Sequence, residues 1–136
     1  MLDLSTVTLC CVDTANHALA LRALSHSRQA IRFARSVLVT DRLPPGLPLP
    51  EGIEIAASGP ILSRDAYSQF VLKELHRFVD TAHVLLIQWD GYVVNPDAWD
   101  PAFLGCDYLG AKWFWHDDGM RVGNGGFSLR SRRLLD

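Results

Sequence analysis

Four consecutive apolar residues, Val84-Leu85-Leu86-Ile87, followed at once by Gln88-Trp89-Asp90-Gly91, constrain the fold of this chain more than any other feature. A run with no polar alternate has no face to offer water. It belongs to a strand covered on both sides, the situation of a central strand in an α/β sheet. Two other segments suit places beside it. Thr6-Val7-Thr8-Leu9-Cys10-Cys11-Val12 is β-branched and apolar and runs into Asp13-Thr14-Ala15-Asn16, whose side chains suit turns and helix caps. Ser36-Val37-Leu38-Val39-Thr40-Asp41 is similar and again ends in a carboxylate. Between them Ala20, Leu24, Ile31 and Ala34 recur at helical spacing and predict a helix from His17 to Ala34. Strand, helix, strand in this order predicts a parallel pair joined by a right-handed crossover.

The rest of the chain extends the same pattern. Residues 42–52 hold Pro44, Pro45, Pro48, Pro50, Gly46 and Gly52 and read as an extended surface loop. Ile53-Glu54-Ile55 alternates like a short strand. Asp65 to Val79 predicts a helix capped by Ser63 or Asp65, with Tyr67, Val71, Leu75 and Phe78 on one face. Tyr92-Val93-Val94, Asp107-Tyr108-Leu109-Gly110 and Phe127-Ser128-Leu129 are expected as further short elements. The aromatic loop Lys112-Trp113-Phe114-Trp115-His116 lies between the last two. Ser131 to Asp136 reads as the first turns of a helix, so the expected α/β domain, residues 1–136, is expected to be incomplete at its C-terminus.

A chain of 136 residues with 49% hydrophobic and 21% charged residues has the balance of one ordinary folded domain. Net charge is −2, and the densest basic cluster is Arg130, Arg132 and Arg133. That is too little for a sequence-independent grip on nucleic acid, which is therefore not an expected partner. No apolar run approaches the ~20 residues that cross a bilayer. Met1-Leu2-Asp3-Leu4 lacks the basic and apolar regions of a secretory signal. Three cysteines without a Cys-x-x-Cys pair fit neither a disulfide framework nor a structural zinc site. A reducing cytoplasm is the expected setting, with peripheral membrane association compatible with it.

Ligands of open α/β sheets bind beyond the carboxyl ends of the parallel strands, which places Asp13, Asp41 and Asp90 along one rim. Asp13 and Asp41 serve equally well as turn and cap residues. Asp90, held between a tryptophan and a glycine after four buried residues, suits a Mg²⁺ site that uses one or two carboxylates plus a substrate's phosphate oxygens. The alternative is a turn aspartate. Gly123-Asn124-Gly125-Gly126 lets the backbone approach a ligand closely, or forms a plain hairpin turn. Trp113, Phe114 and Trp115 offer faces for stacking on sugar rings, or cap the core. His116, Asp117 and Asp118 lack a second histidine at ligand spacing, and His17, His26, His76 and His83 form no metal-binding pattern. Neither a P-loop nor a dinucleotide glycine fingerprint is present.

Gln88-Trp89-Asp90-Gly91-Tyr92, followed by Val122-Gly123-Asn124-Gly125-Gly126-Phe127-Ser128-Leu129-Arg130-Ser131, resembles an uncharacterised bacterial glycosyltransferase-like family of the GT-A type. Tyr67-Ser68-Gln69-Phe70-Val71-Leu72-Lys73-Glu74-Leu75 is similar to the family's helix before its metal-binding strand. The resemblance implies a GT-A-like, Rossmann-like nucleotide-sugar-binding sheet with flanking helices. It sets Gln88-x-Asp90 in the place of the Asp-x-Asp motif that holds a divalent metal, Mn²⁺ or Mg²⁺, on the donor diphosphate. Asp90 is then the retained metal ligand and stabilises the leaving group through it, while Gln88 departs from the pattern and leaves metal use open. Thr14, Asp41, Arg64, Tyr67, Gln88, Trp89 and Asp90 are the implied donor-binding residues. Trp113, Gly123, Asn124, Gly125 and Gly126 are expected at the sugar or acceptor.

The implied activity is transfer of a sugar from a nucleotide diphosphate to an acceptor hydroxyl, a hexosyltransferase type of reaction. Polysaccharide biosynthesis is the usual setting, and the expected partners are the nucleotide-sugar donor and a glycan or other hydroxyl acceptor. An inverting reaction also needs a carboxylate base. That base is expected beyond Asp136 unless Asp117 or Asp118 serves, so the chain alone is expected to be inactive. The rival expectation is a non-catalytic nucleotide- or glycan-binding module.

Overall fold

The computed structural model describes residues 1–111 and 124–136. The elements run β1 (Leu2–Val12), α1 (His17–Ser27), β2 (Ile31–Thr40), β3 (Glu54–Ala57), α2 (Arg64–Lys73), β4 (His83–Ile87), β5 (Tyr108–Ala111), β6 (Asn124–Ser131) and α3 (Arg132–Leu135). Short 3₁₀ turns cover Leu75–Phe78, Pro96–Ala98 and Pro101–Gly105. The strands make one mixed six-stranded sheet in the order β3-β2-β1-β4-β6-β5. β1 pairs in parallel with both β2 and β4, and β2 with β3, whereas β6 runs antiparallel to β4 and β5.

The alternation of β4 explains why the run Val84–Ile87 is apolar throughout. Leu85 and Ile87 join Leu9, Cys11, Leu38 and Leu129 on the face covered by α1 through Ala20, Leu21, Ala23 and Leu24. Val84 and Leu86 join Cys10, Val12, Val37 and Val39 on the opposite face, against Val71 of α2, Leu75, Val79 and Leu135 of α3. With both faces buried, no polar alternate is tolerated.

The helix predicted over 17–34 ends at Ser27, and Ile31 and Ala34 belong to β2. Pairing decides this: β1 is longer than its β-branched run, and its first residues Leu2, Asp3 and Leu4 pair with Ile31, Arg32 and Phe33. Those contacts outweigh a helical spacing carried by only two apolar residues beyond Ser27. The helix predicted over 65–79 begins at Arg64, capped by Ser63 Oγ, which accepts from the Ala66 N–H at 3.0 Å. It leaves α geometry after Lys73 and continues as the 3₁₀ turn. Tyr92-Val93-Val94 forms no strand; only an isolated bridge joins Gln88 to Gly91. Asn124, Gly125 and Gly126 open β6 and form no hairpin turn, with an irregularity where Ala111 pairs Asn124.

The order of strands fixes where a ligand can enter. β1, β2 and β3 are laid down in one direction, and the chain then returns through α2 to place β4 on the other side of β1. The helices before and after this reversal cover opposite faces, so a crevice opens between the carboxyl ends of β1 and β4.

Candidate functional site

A cleft of about 320 Å³ occupies that crevice. Its walls are Val12, Asp13, Thr14 and Ala15 after β1, Ile61, Leu62, Ser63 and Tyr67 at the start of α2, and Gln88, Trp89 and Asp90 after β4. The turn at the end of β4 is tight: Gln88 N–H donates to Gly91 O at 2.9 Å and Gly91 N–H to Gln88 O at 3.2 Å. Trp89 and Asp90 form its tip, and neither adopts a left-handed conformation. Trp89 is 42% exposed, and Asp90 is exposed. Among the described residues the Asp90 carboxylate meets no hydrogen-bond or ion-pair partner. It stands at the lip of the cleft, free to bind.

Asp13 is half committed. Its Oδ1 accepts from the N–H groups of Ala15 (2.8 Å) and Asn16 (2.6 Å), holding the turn into α1. Thr14 donates its hydroxyl to Ile61 O at 2.8 Å and ties the end of β1 to the approach to α2. The first turn of α2 therefore faces the cleft, where its amide dipoles favour an anion. Tyr67 reaches inward from that turn. Its hydroxyl is buried without a hydrogen-bond partner. Burial pushes its pKa up to about 12; the Gln88 side chain beside it opposes the shift without making a hydrogen bond of normal geometry.

A second cleft of about 530 Å³ adjoins the first at Thr14 and is lined by His17, Asp41, Arg42, Leu43, Pro44 and Pro45. Thr40 donates its one hydroxyl proton to Asp41 Oδ1 at 3.2 Å, so it accepts from His17 Nε2 at 2.9 Å. His17 Nε2 lies 3.9 Å from Asp41 Oδ1. Burial alone would raise the Asp41 pKa, but the Arg42 N–H and the Thr40 hydroxyl outweigh it, and Asp41 titrates below the ordinary carboxylate range.

Of the expected donor residues, Thr14, Tyr67, Gln88, Trp89 and Asp90 share one cleft, and Asp41 lies in the next. Arg64 lines neither; it is exposed at the start of α2. Trp113 and Gly123 lie outside the described residues, as do Phe114, Trp115, His116, Asp117 and Asp118. Asn124, Gly125 and Gly126 enter the sheet beside the β4 turn: a Cβ added to Gly91 would lie 3.8 Å from Gly126 O and 3.7 Å from Phe127 Cβ. His17 was not singled out by its spacing, because a lone histidine in a first helical turn carries no pattern of its own.

Cys10 and Cys11 are buried in the sheet, and burial pushes the Cys10 thiol up to about 12 and Cys11 well above its ordinary value. Both pack as small apolar groups and offer no thiolate. Among the described residues no group of three or more His, Cys, Asp or Glu side chains is placed to hold a metal ion. No helix among them is long and apolar enough to cross a membrane.

No curated protein matches this chain. A family match covers residues 53–135, from β3 to α3, and so contains Tyr67, Gln88, Asp90 and β6 but neither Thr14 nor Asp41. Spanning more than half of the sequence, that match shows that the chain belongs to the family described as "Protein of unknown function (DUF5672)".

Proposed function

We propose that the cleft between β1 and β4 binds the nucleotide diphosphate of an activated sugar, and that the chain serves sugar transfer to an acceptor hydroxyl on a GT-A-like sheet. The observation that carries this reading is the free carboxylate of Asp90 at the lip of a switch-point cleft whose other walls are a helix N-terminus and Asp13.

The donor set suits a cation that arrives with its ligand. Mg²⁺ and Mn²⁺ keep several water or phosphate oxygens and need only one or two protein carboxylates. Asp90 offers a whole carboxylate, and Asp13 keeps Oδ2 unused by the α1 turn. Such an ion supplies charge neutralisation for a departing diphosphate. Trp89 presents an exposed ring to the cleft for stacking on a base or sugar. Thr14 joins both clefts, so a nucleoside in the Asp41 cleft can keep its phosphates near Asp90.

The test is calorimetry with uridine and guanosine diphosphates, with and without Mn²⁺. Metal-dependent tightening in the wild type, lost in Asp90→Ala, is the expected result. Binding without turnover on any acceptor would favour the non-catalytic module, and absence of binding with every nucleotide and metal would sink the reading.

A further inference from the structure

Arg130 lies on β6, an inner strand, and is only 8% exposed. A buried guanidinium is costly unless an acid or a dense set of acceptors meets it. Arg35, Arg77, Arg132 and Arg133 all find carboxylates, whereas Arg130 takes part in no ion pair among the described residues. Its Nε donates to Ser128 Oγ at 3.1 Å, and its Cζ sits 5.1 Å from the centre of the Tyr108 ring. The bond to Ser128 directs the side chain along β6 toward the ligand end of the sheet, because Arg130 lies opposite Val84 and Ser128 opposite Leu86. Gln88 is the next residue of β4 on that same face. Tyr67 comes down from α2 onto that face, packed against the cluster that holds Val84 and Leu86.

Two hydroxyls on this face are buried without partners among the described residues, those of Tyr67 and Tyr108. Native interiors rarely leave such groups unpaired. A buried positive charge that meets no acid among the described residues, on the face where Tyr67 lines the cleft, is the complement of an anion at that cleft's inner end. Among the described residues no side chain lining the cleft carries a positive charge, and Asp13 and Asp90 both repel an anion.

We infer that Arg130 and Tyr67 form a metal-independent phosphate subsite at the floor of the cleft, Tyr67 donating its O–H to a phosphate oxygen and Arg130 supplying the positive charge beneath it. This rests on the proposed nucleotide-diphosphate reading, and it makes Gln88 intelligible. A second acid at position 88 would pair with Arg130 and cancel the charge. Arg130 acts here as a positioning residue; Tyr67 is the contact.

The probe is inorganic pyrophosphate, titrated into the chain by calorimetry in excess EDTA, with uridine and guanosine diphosphates plus Mn²⁺ in parallel. Wild type is expected to bind pyrophosphate without metal. Tyr67→Phe, which removes one hydroxyl, should weaken it about tenfold, as loss of a hydrogen bond to a charged group does. Arg130→Met should weaken it at least as much, and Arg130→Lys, which keeps the charge, should restore most of the affinity. If Arg130→Met does not fold, Tyr67→Phe and Arg130→Lys still decide. Unchanged pyrophosphate affinity in both Tyr67→Phe and a folded Arg130→Met would overturn the inference while nucleoside diphosphate binding stands. Pyrophosphate binding with the expected variant pattern but no nucleoside preference would uphold the subsite and sink the nucleotide reading. Failure of wild type to bind either ligand sinks both.

Discussion

The two ends of the sheet use the same polar chemistry to opposite effect. At the end where β4 begins, most polar groups satisfy one another. Ser131 Oγ donates to Asp107 Oδ1 at 2.7 Å, and Arg133 pairs with the other oxygen of the same carboxylate. Thr8 and Thr81 join hydroxyls at 2.7 Å, Thr81 donates to His83 O, and His83 Nε2 lies 3.3 Å from Cys106 O. Of that group, His83 Nδ1 is buried without a partner. At the end where β4 finishes, Asp90 and the buried Tyr67 hydroxyl have no partner among the described residues. Matched polar groups close a structure; unmatched ones at a switch-point crevice await a ligand. Unpaired buried atoms occur at both ends, so what sets the cleft end apart is an unpaired carboxylate in a crevice: Asp107 and Asp90 are the same residue type with different neighbours.

β4 ties the two ends together, so the largest effect should come from its middle. Leu86→Ala, at a fully buried position, is expected to cost about 2–5 kcal/mol in urea unfolding and to weaken both ends at once. If ligand binding survived while stability fell, the cleft would not depend on the central strand as argued. Next in size is the contrast between Asp90→Ala and Asp107→Ala. Asp90→Ala should remove roughly tenfold or more of metal-assisted nucleotide affinity, about 1.4 kcal/mol, yet leave the melting temperature nearly unchanged. Asp107→Ala should do the reverse, and similar behaviour in the two variants would break the comparison.

Ser63→Ala should cost about 1 kcal/mol through loss of the α2 cap and also loosen the cleft wall that carries Tyr67. The two readouts, unfolding and ligand affinity, should move together. The smallest effect belongs to pH. Arg133 and Ser131 hold the Asp107 pKa below its ordinary 3.8. A depressed carboxylate stabilises the fold above its unfolded value, and that contribution is lost as pH falls through the folded value. Acid titration of stability should therefore show a loss below about pH 4 that Asp107→Asn reduces, with Asp41 contributing the same sign and no change in the neutral range.

Much of the architecture is legible in particular residues. Val84–Ile87 announces a strand buried on both faces, Ser63 and Asp65 announce a cap for α2 of which the structure uses Ser63, and the proline-rich stretch marks the loop after β2. The extent of α1 is not legible, because Ile31 and Ala34 satisfy a helical period while the strand partner of Ile31, Leu2, lies almost thirty residues away in β1. The glycine segment misleads in the same manner: Asn124-Gly125-Gly126 has hairpin chemistry, yet it is drawn into β6 beside Gly91. Within the site, Asp13, Asp41 and Asp90 could be named from strand ends alone, whereas Thr14 comes only through the family resemblance. His17 could not, since only the fold sets it against Thr40. Arg130 carries a faint signal, a charge alternating with apolar Phe127 and Leu129, that reads as surface until β5 closes over that flank.

The sequence by itself determined the class of fold and which strand ends carry polar groups, because these follow from side-chain period and turn chemistry within a few residues. Only the tertiary structure decided which of those groups meet. The reversal of strand order between β3 and β4 opens the crevice, brings Tyr67 and Gln88 into one cleft and leaves Arg130 in no ion pair among the described residues. Pairing between distant segments sets those outcomes, and no local window of sequence contains both partners.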